Sequence, residues 1–184
     1  MTRIIGGEAG SIRLSTPGSS TRPTSDRVRE AIFSALESRI SLTGTTVCDV
    51  YAGSGALGLE ALSRGAWKLI ASERDPQACA VLRANTARVT GALTHTVETD
   101  IRCQAAEHTL RRLAASTVDI AFVDPPYDLD NDALIAVIDA IPLRPAGFVV
   151  VERSKKTPEP QWPAPLQCVS TKTYGDTLVY LLSR

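Results

Sequence analysis

Asp49-Val-Tyr-Ala-Gly53-Ser-Gly55-Ala-Leu-Gly58 decides how the rest of the chain folds. Residues 47–51, which run into its start, are mostly apolar and read as a strand. Residues 56–64, which begin inside it, carry apolar side chains at helical spacing. Glycines between a strand and a helix permit a tight turn and a close backbone approach to a ligand. The same alternation continues downstream. Residues 68–73 predict a second strand, and Asp75-Pro76 predicts a helix start, with Asp as cap and Pro in the first position. Residues 94–99 predict a third strand, followed by a helix over residues 103–114. Residues 118–124 are an almost continuous apolar run, as in a buried parallel strand. A helix over residues 131–140 leads to a fifth strand at residues 147–152. The rhythm then breaks: residues 167–173 and 177–182 flank Tyr174-Gly175-Asp176 and predict a hairpin. Upstream, residues 1–23 are rich in Gly, Ser, Thr and Pro and predict a small hairpin or extended arm. A helix follows, capped by Thr24 or Ser25, with Asp26 in its first turn and a stripe of Val28, Ile32, Leu36 and Ile40. Strand–helix alternation implies an α/β fold with a parallel sheet, right-handed crossovers and helices on both faces. Ligands in such folds bind at the C-terminal ends of the strands.

Gly53-x-Gly55-x-x-Gly58 matches the dinucleotide fingerprint, and Glu73 lies 20 residues after Gly53, where a ribose-binding acid belongs. Asp49 argues against a dinucleotide. A carboxylate at the strand end repels a pyrophosphate but suits a cationic amino-acid group. Asp-x-(aromatic)-x-Gly-x-Gly resembles motif I of Rossmann-like methyltransferases, which bind S-adenosylmethionine. In that reading Asp49, Ala52, Gly53 and Gly55 face the methionine portion and Glu73 accepts the ribose hydroxyls. Asp75 is a rival for Glu73, but Pro76 after it favours a capping role. Asp100 resembles the acid that contacts the adenine amino group, with a helix cap before Ile101 as the structural alternative. Arg74 and Ile101 are candidates to flank the adenine. A tight turn without any ligand is the plain alternative for the whole loop.

Asp124-Pro125-Pro126-Tyr127 ends the fourth strand. Two prolines stiffen the turn and remove two donors but keep their carbonyls as acceptors. An exocyclic amino group of a base has two N–H bonds. Asp124 can accept one and the Pro125 carbonyl the other, and Tyr127 offers a face for an extruded base. Such an amine is a weak nucleophile, so positioning and preorganised electrostatics carry most of the catalysis. The structural alternative is a capped turn with Tyr127 packed on the surface.

Composition sets the bounds. At 184 residues the chain can form one domain with a sizeable core. Apolar residues at 43% and charged residues at 22% fit an ordinary globular protein. No apolar run reaches the length of a membrane span, and residues 1–10 lack the apolar centre of a secretory signal, so the expected location is cytoplasmic. Cys48, Cys79, Cys103 and Cys168 are irregularly spaced without a C-x-x-C pair. No metal site is expected from them, and in a reducing compartment no disulfide either; they read as small buried hydrophobes. His95, His108, Trp67 and Trp162 read as packing or surface residues. A net charge of zero argues against indiscriminate nucleic-acid binding. Residues 1–29 nevertheless hold Arg3, Arg13, Arg22, Arg27 and Arg29 against Glu8 and Asp26. Arg3, Arg22, Arg27 and Arg29, with Lys155 and Lys156 past the fifth strand, are the candidate RNA contacts. The alternative for the arginines is a solvated helix start laced with salt bridges.

Taken together, the chain resembles the 16S ribosomal RNA guanine-N2 methyltransferases of the RsmD family. Matching residues are Arg3-Ile-Ile-Gly-Gly7, Arg22-Pro-Thr-x-Asp-Arg-Val-Arg29, Phe33, Ala52 through Ala66, Asp124–Tyr127, Val151-Glu152 and Tyr174-Gly175. Tyr51 stands where the family often has phenylalanine, and residues 8–11 lack the basic and aromatic residues often found there. The resemblance implies a Rossmann-like class I methyltransferase: a mostly parallel seven-stranded sheet with a C-terminal antiparallel hairpin. It implies an N-terminal RNA-binding arm and helix over residues 1–40 and a methyltransferase domain over residues 41–184. The implied reaction is transfer from S-adenosylmethionine to N2 of guanine 966 on a small ribosomal subunit or its assembly intermediate, by a monomer without metal. The residues alone do not choose guanine over adenine or cytosine. A DNA adenine-N6 or protein-directed methyltransferase would share both motifs. A DNA enzyme would usually add a recognition domain, and a protein-directed one more often has Asn where Asp124 stands. An NAD-dependent oxidoreductase would need an acid–base residue for which the sequence has no candidate. A non-catalytic RNA-binding module would not need Asp124, Gly53 and Gly55.

Overall fold

A computed structural model describes residues 2–18 and 25–184. Its main sheet has seven strands in the order β5-β4-β3-β6-β7-β9-β8. Five run parallel: β3 (Thr46–Asp49), β4 (Lys68–Ser72), β5 (Glu98–Arg102), β6 (Val118–Val123) and β7 (Leu143–Ser154). The hairpin of β8 (Gln167–Tyr174) and β9 (Thr177–Ser183) adds antiparallel to β7. Gly175, with φ of +60°, supplies the left-handed conformation that this two-residue turn needs. This is the Rossmann-like methyltransferase architecture that the sequence implies.

Side chains alternate across the sheet and build two cores. Val47, Leu69, Ile120, Phe122 and Val150 face α1 (Asp26–Glu37), α2 (Ala56–Ser63) and α3 (Pro76–Thr90). Cys48, Ile70, Ala121, Val123 and Val149 face α4 (Ala106–Leu110) and α5 (Asn131–Asp139). Two helix starts follow the expected caps. Ser25 accepts from the Val28 N–H at 3.3 Å, and Asp75 from the Ala78 N–H at 2.7 Å with Pro76 next to it.

The N-terminal segment is a small hairpin, β1 (Thr2–Arg3) against β2 (Arg13–Leu14), and it packs into the first core through Ile4 and Leu14. Glu60 of α2 anchors it. This fully buried carboxylate accepts from the N–H groups of Ile5 (2.7 Å) and Gly6 (2.8 Å) and from Arg64 Nε (2.8 Å). Glu8, in the stretch without the family's basic residues, accepts from the Thr94 N–H at 2.7 Å and meets His95 Nδ1 at 3.1 Å.

Two expectations need correction. Cys79 of α3 and Cys103, just past β5, form a disulfide. The β4–α3–β5 crossover brings the start of α3 and the end of β5 to one rim with Cα atoms 5.8 Å apart, a proximity that irregular sequence spacing conceals. Only Cys48 is the buried free thiol expected. The third strand of the reading also moves, from residues 94–99 to Glu98–Arg102.

Candidate active site

The glycine turn leaves β3 at the point where strand order reverses, between β4 and β6. It is fixed from below by backbone bonds: the Ala52 N–H donates to the Ser72 carbonyl and the Val50 N–H to Phe122, both at 3.0 Å. Gly53 has φ of +52°, and a Cβ there would meet nothing within 4 Å. Gly55 is different: with φ of +82°, its Cβ would lie 2.5 Å from Leu82. The second glycine is thus required by packing of α2 on α3, and the first faces open space where a ligand can approach.

Four carboxylates line the C-terminal rim of the sheet. Asp49 pairs with Ala71 on one side and Phe122 on the other, and Phe122 pairs with Val150. Two residues beyond these partners are Glu73, Asp124 and Glu152. Strand alternation sends all three to the face that Asp49 occupies. Glu73 accepts from the Gly53 N–H at 3.0 Å and the Asp75 N–H at 2.8 Å. A carboxylate offers about four lone-pair sites, so two remain for a diol. Asp49 is 2% exposed and accepts from the Gly58 N–H at 3.0 Å. Burial pushes its carboxyl up to about 7; the Gly58 N–H opposes this, and the charges of Asp124 and Glu73 add to it. The Tyr51 hydroxyl is buried with no hydrogen-bond partner among the described residues. Burial raises it to about 12, Glu107 adds to the rise and Arg74 opposes it. An open glycine cradle, a diol acceptor and a dry carboxylate awaiting a positive charge fit the amino-acid sulfonium donor that the sequence implies.

The carboxyl of Asp49 has a measurable signature. Unfolded, it titrates near 3.8; folded, near 7. Between those values the folded chain holds a proton that the unfolded chain has released, so stability falls as pH rises through this window. Above pH 7 the penalty is complete. Asp49→Asn therefore stabilises the free protein at pH 8 by roughly 1–2 kcal/mol, part of the relief being lost to the new buried amide. Below pH 4 the gain vanishes. Urea melts at the two pH values check this, and equal stability differences would refute the dry-carboxylate account.

Beyond Asp49 the rim opens into a cavity of about 120 Å³ lined by Asp124, Pro125, Tyr127, Glu152 and Tyr174, with Ser25 at the start of α1. Tyr127 is 75% exposed, so its ring is presented outward and is not packed on the surface. The Pro126 carbonyl accepts from the Leu129 N–H at 3.1 Å, which closes the turn. Asp124 and Glu152 are both engaged within the protein.

Other candidates are placed less favourably. Arg29 is fully buried, its guanidinium donating to the Arg3 carbonyl at 2.6 Å and to Asp26 at 2.8 Å. It cannot reach RNA, which corrects its expected role. Arg3, Arg27, Lys155 and Lys156 are exposed. Arg3 pairs with Asp26 at 3.3 Å and Lys155 with Asp176 at 2.7 Å. Arg22 lies outside the described residues. Asp100 is inside β5, not at a helix start, which removes the capping alternative. It pairs with Ile70, on the α4 side of the sheet, and Arg102 clamps its carboxylate at 2.7 and 2.9 Å. The rim position past β5 belongs instead to Cys103 and Gln104, which the displaced strand boundary hid. Ile101 packs against the first core, and Arg74 is exposed at the rim.

A family model described as "Conserved hypothetical protein 95" matches residues 2–183. The Escherichia coli (strain K12) protein named Ribosomal RNA small subunit methyltransferase D is 37% identical over 126 residues, which are 68% of this chain and 60% of that one. The chain belongs to the RsmD family. A Bacillus subtilis (strain 168) member, "Putative rRNA methyltransferase YlbH", is 32% identical over 188 residues, covering 100% of this chain and 99% of its own. Among solved structures, "Putative methyltransferase yhhF" from Escherichia coli superposes with a TM-score of 0.83 at 31% identity, over 100% of this chain and 97% of that one. No helix among the described residues is long and apolar enough to cross a membrane, and no cluster of His, Cys, Asp and Glu among them could hold a metal ion.

Proposed function

We propose that the chain transfers a methyl group from S-adenosylmethionine to the exocyclic N2 of a guanine in 16S ribosomal RNA. The position is guanine 966, on a small subunit or its assembly intermediate, and a monomer acts in the cytoplasm. The observation that carries this reading is the row Glu73–Asp49–Asp124–Glu152 along one rim, which supports reading the glycine turn as the donor cradle and the adjoining cavity as the base pocket. Membership of a family whose members are named ribosomal RNA methyltransferases supports the substrate.

S-adenosylmethionine supplies an electrophilic methyl on a cationic sulfur. Glu73 holds the ribose hydroxyls, Asp49 lies toward the cationic amino-acid portion, and Ala52, Gly53 and Gly55 shape the cradle. The base leaves the stack and lies against Tyr127. Asp124 accepts one N–H of its amine and the Pro125 carbonyl the other, fixing the nitrogen lone pair toward the methyl. As the N–C bond forms and the S–C bond breaks, positive charge grows on nitrogen, and Asp124 stabilises it. One proton then leaves the nitrogen for Asp124 or water. The first 40 residues serve as the RNA-contacting extension, through Arg3, Arg22 and Arg27, with Lys155 and Lys156 across the same edge.

Tritiated donor offered with naked 16S RNA, assembled small subunits and DNA in separate reactions tests this reading. Label is expected on ribosomal RNA at one guanine N2. Label on DNA, or on adenine or cytosine, refutes it. Glu73→Ala is expected to weaken donor binding about 10²-fold, through loss of two charge-assisted hydrogen bonds. Calorimetry with the donor measures this, and a change under threefold would remove Glu73 from the ribose site.

A further inference from the structure

We infer that the Cys79–Cys103 bond is a thiol-exchange site through which low-molecular-weight thiols set the affinity for the methyl donor. Closed, it holds the ribose end of the donor site in shape; open, it lets that end loosen. The inference deepens the function proposed above and rests on Glu73 receiving the ribose.

The bond belongs to a closed circuit of contacts that contains Glu73. The Glu73 N–H donates to the Arg102 carbonyl at 3.1 Å, and Cys103 is the next residue after Arg102. The disulfide crosses from there to Cys79 near the start of α3, between Cα atoms 5.8 Å apart. The Cys79 N–H donates to the Asp75 carbonyl at 2.8 Å. The Asp75 N–H donates to the Glu73 carboxylate, also at 2.8 Å, which closes the circuit. Only one other N–H, that of Gly53 at 3.0 Å, is seen to aim this carboxylate among the described residues. The disulfide is thus a covalent tie between the helix start that orients Glu73 and the end of β5. Gln104, the rim residue beside Cys103, is held by the same tie. With the bond open, hydrogen bonds and packing alone keep α3 and β5 together here. Donor binding must then order both sides, and ordering a site on binding costs affinity.

The two sulfurs differ in access. Cys79 is fully buried, whereas Cys103 is exposed and is the end that a small thiol can attack. In the cytoplasm proposed above, thiol pools keep most cysteines reduced, and disulfides that do form there are mainly transient, catalytic or redox-sensing. Exchange proceeds through a mixed disulfide. A thiolate attacks the Cys103 sulfur, the S–S bond breaks, and Cys79 leaves as a thiolate that takes a proton from water. A second thiol attacks the mixed disulfide and releases Cys103. Two small thiols are oxidised to one disulfide, and the protein gains two electrons and two protons. Glutathione disulfide, or another small disulfide, reverses the sequence.

The test measures calorimetric binding of S-adenosylmethionine to the full chain after oxidation with glutathione disulfide and after reduction with dithiothreitol. Peptide mapping by mass spectrometry is expected to find Cys79 linked to Cys103 in the first sample and both alkylated in the second. The reduced protein is expected to bind the donor about tenfold more weakly. Cys103→Ser, a small change at an exposed position, is expected to bind with the reduced affinity in both buffers. Affinities within twofold of each other in the wild type, or tighter binding after reduction, overturn the inference, and this arm needs no variant to fold. Failure of the link to form under oxidation also overturns it. A response that survives in Cys103→Ser overturns it too, because the effect then comes from Cys48 or Cys168, the free thiols. Donor that binds neither form is a different result: it refutes the proposed function, and the inference with it.

Discussion

Asp124→Ala lowers kcat for methyl transfer about 10³-fold or more while leaving donor affinity within about threefold of wild type. The carboxylate is half-buried one residue past β6, so its loss opens no cavity in either core. Without it the amine keeps only the Pro125 carbonyl as an acceptor, its lone pair is no longer directed, and the charge that grows on nitrogen is not balanced. Those contacts matter most in the transition state, which is why kcat falls and not donor binding. Donor affinity has a reason to hold, or even to rise slightly. The charge of Asp124 is one of the causes that raise Asp49, so removing it lets Asp49 ionise more readily. Asp124→Asn keeps one acceptor oxygen but no charge, and an intermediate loss of about 10- to 10²-fold separates aiming from charge stabilisation. Single-turnover transfer with saturating tritiated donor, beside calorimetric donor binding, measures both. Activity within tenfold of wild type in Asp124→Ala would take the carboxylate out of the chemistry.

The architecture was legible because local signals agreed. Asp49 through Gly58 marks a strand, a turn and a helix at once, and Asp75-Pro76 marks a helix start by two independent preferences. The reading failed where tertiary pairing decides. Residues 94–99 hold threonines and one valine, a β-rich composition, yet β5 is an edge strand with little burial, and its register is set by β4. Lys68 meets Glu98 at 2.6 Å across that pairing, and the shift carried Asp100 into the strand and Gln104 to the rim. Glu152 was legible only as a family match. A carboxylate ending an apolar strand carries no sign of its neighbour until β6 and β7 are in register. The disulfide was hidden for the same reason. Arg29 is different, because its signal was present: it precedes Ile32, Phe33 and Leu36 by three, four and seven positions, inside the stripe that faces the core.

That position makes Arg29→Ala destabilising by about 3–5 kcal/mol, as when one partner of a buried ion pair is removed. Arg29 is fully buried, and burial lowers its pKa, while Asp26, Glu60 and Glu152 act in the opposite sense. Removing the cation leaves the Arg3 carbonyl without this donor, and the dehydrated carboxylates of Glu60 and Glu152 without its positive field. Those groups tie together the N-terminal hairpin, α1, α2 and the base pocket, so one substitution loosens all four. Arg27, two residues earlier and exposed, provides the contrast. Arg27→Ala should change stability by less than about 0.5 kcal/mol. If the arm meets RNA as proposed, it should make the salt dependence of RNA binding shallower by about one charge. Urea melts and RNA titrations across salt concentration separate the two arginines. A stable Arg29→Ala with a shallower salt slope would mean that the buried guanidinium swings out to phosphate, and the arm would then need to open before it binds.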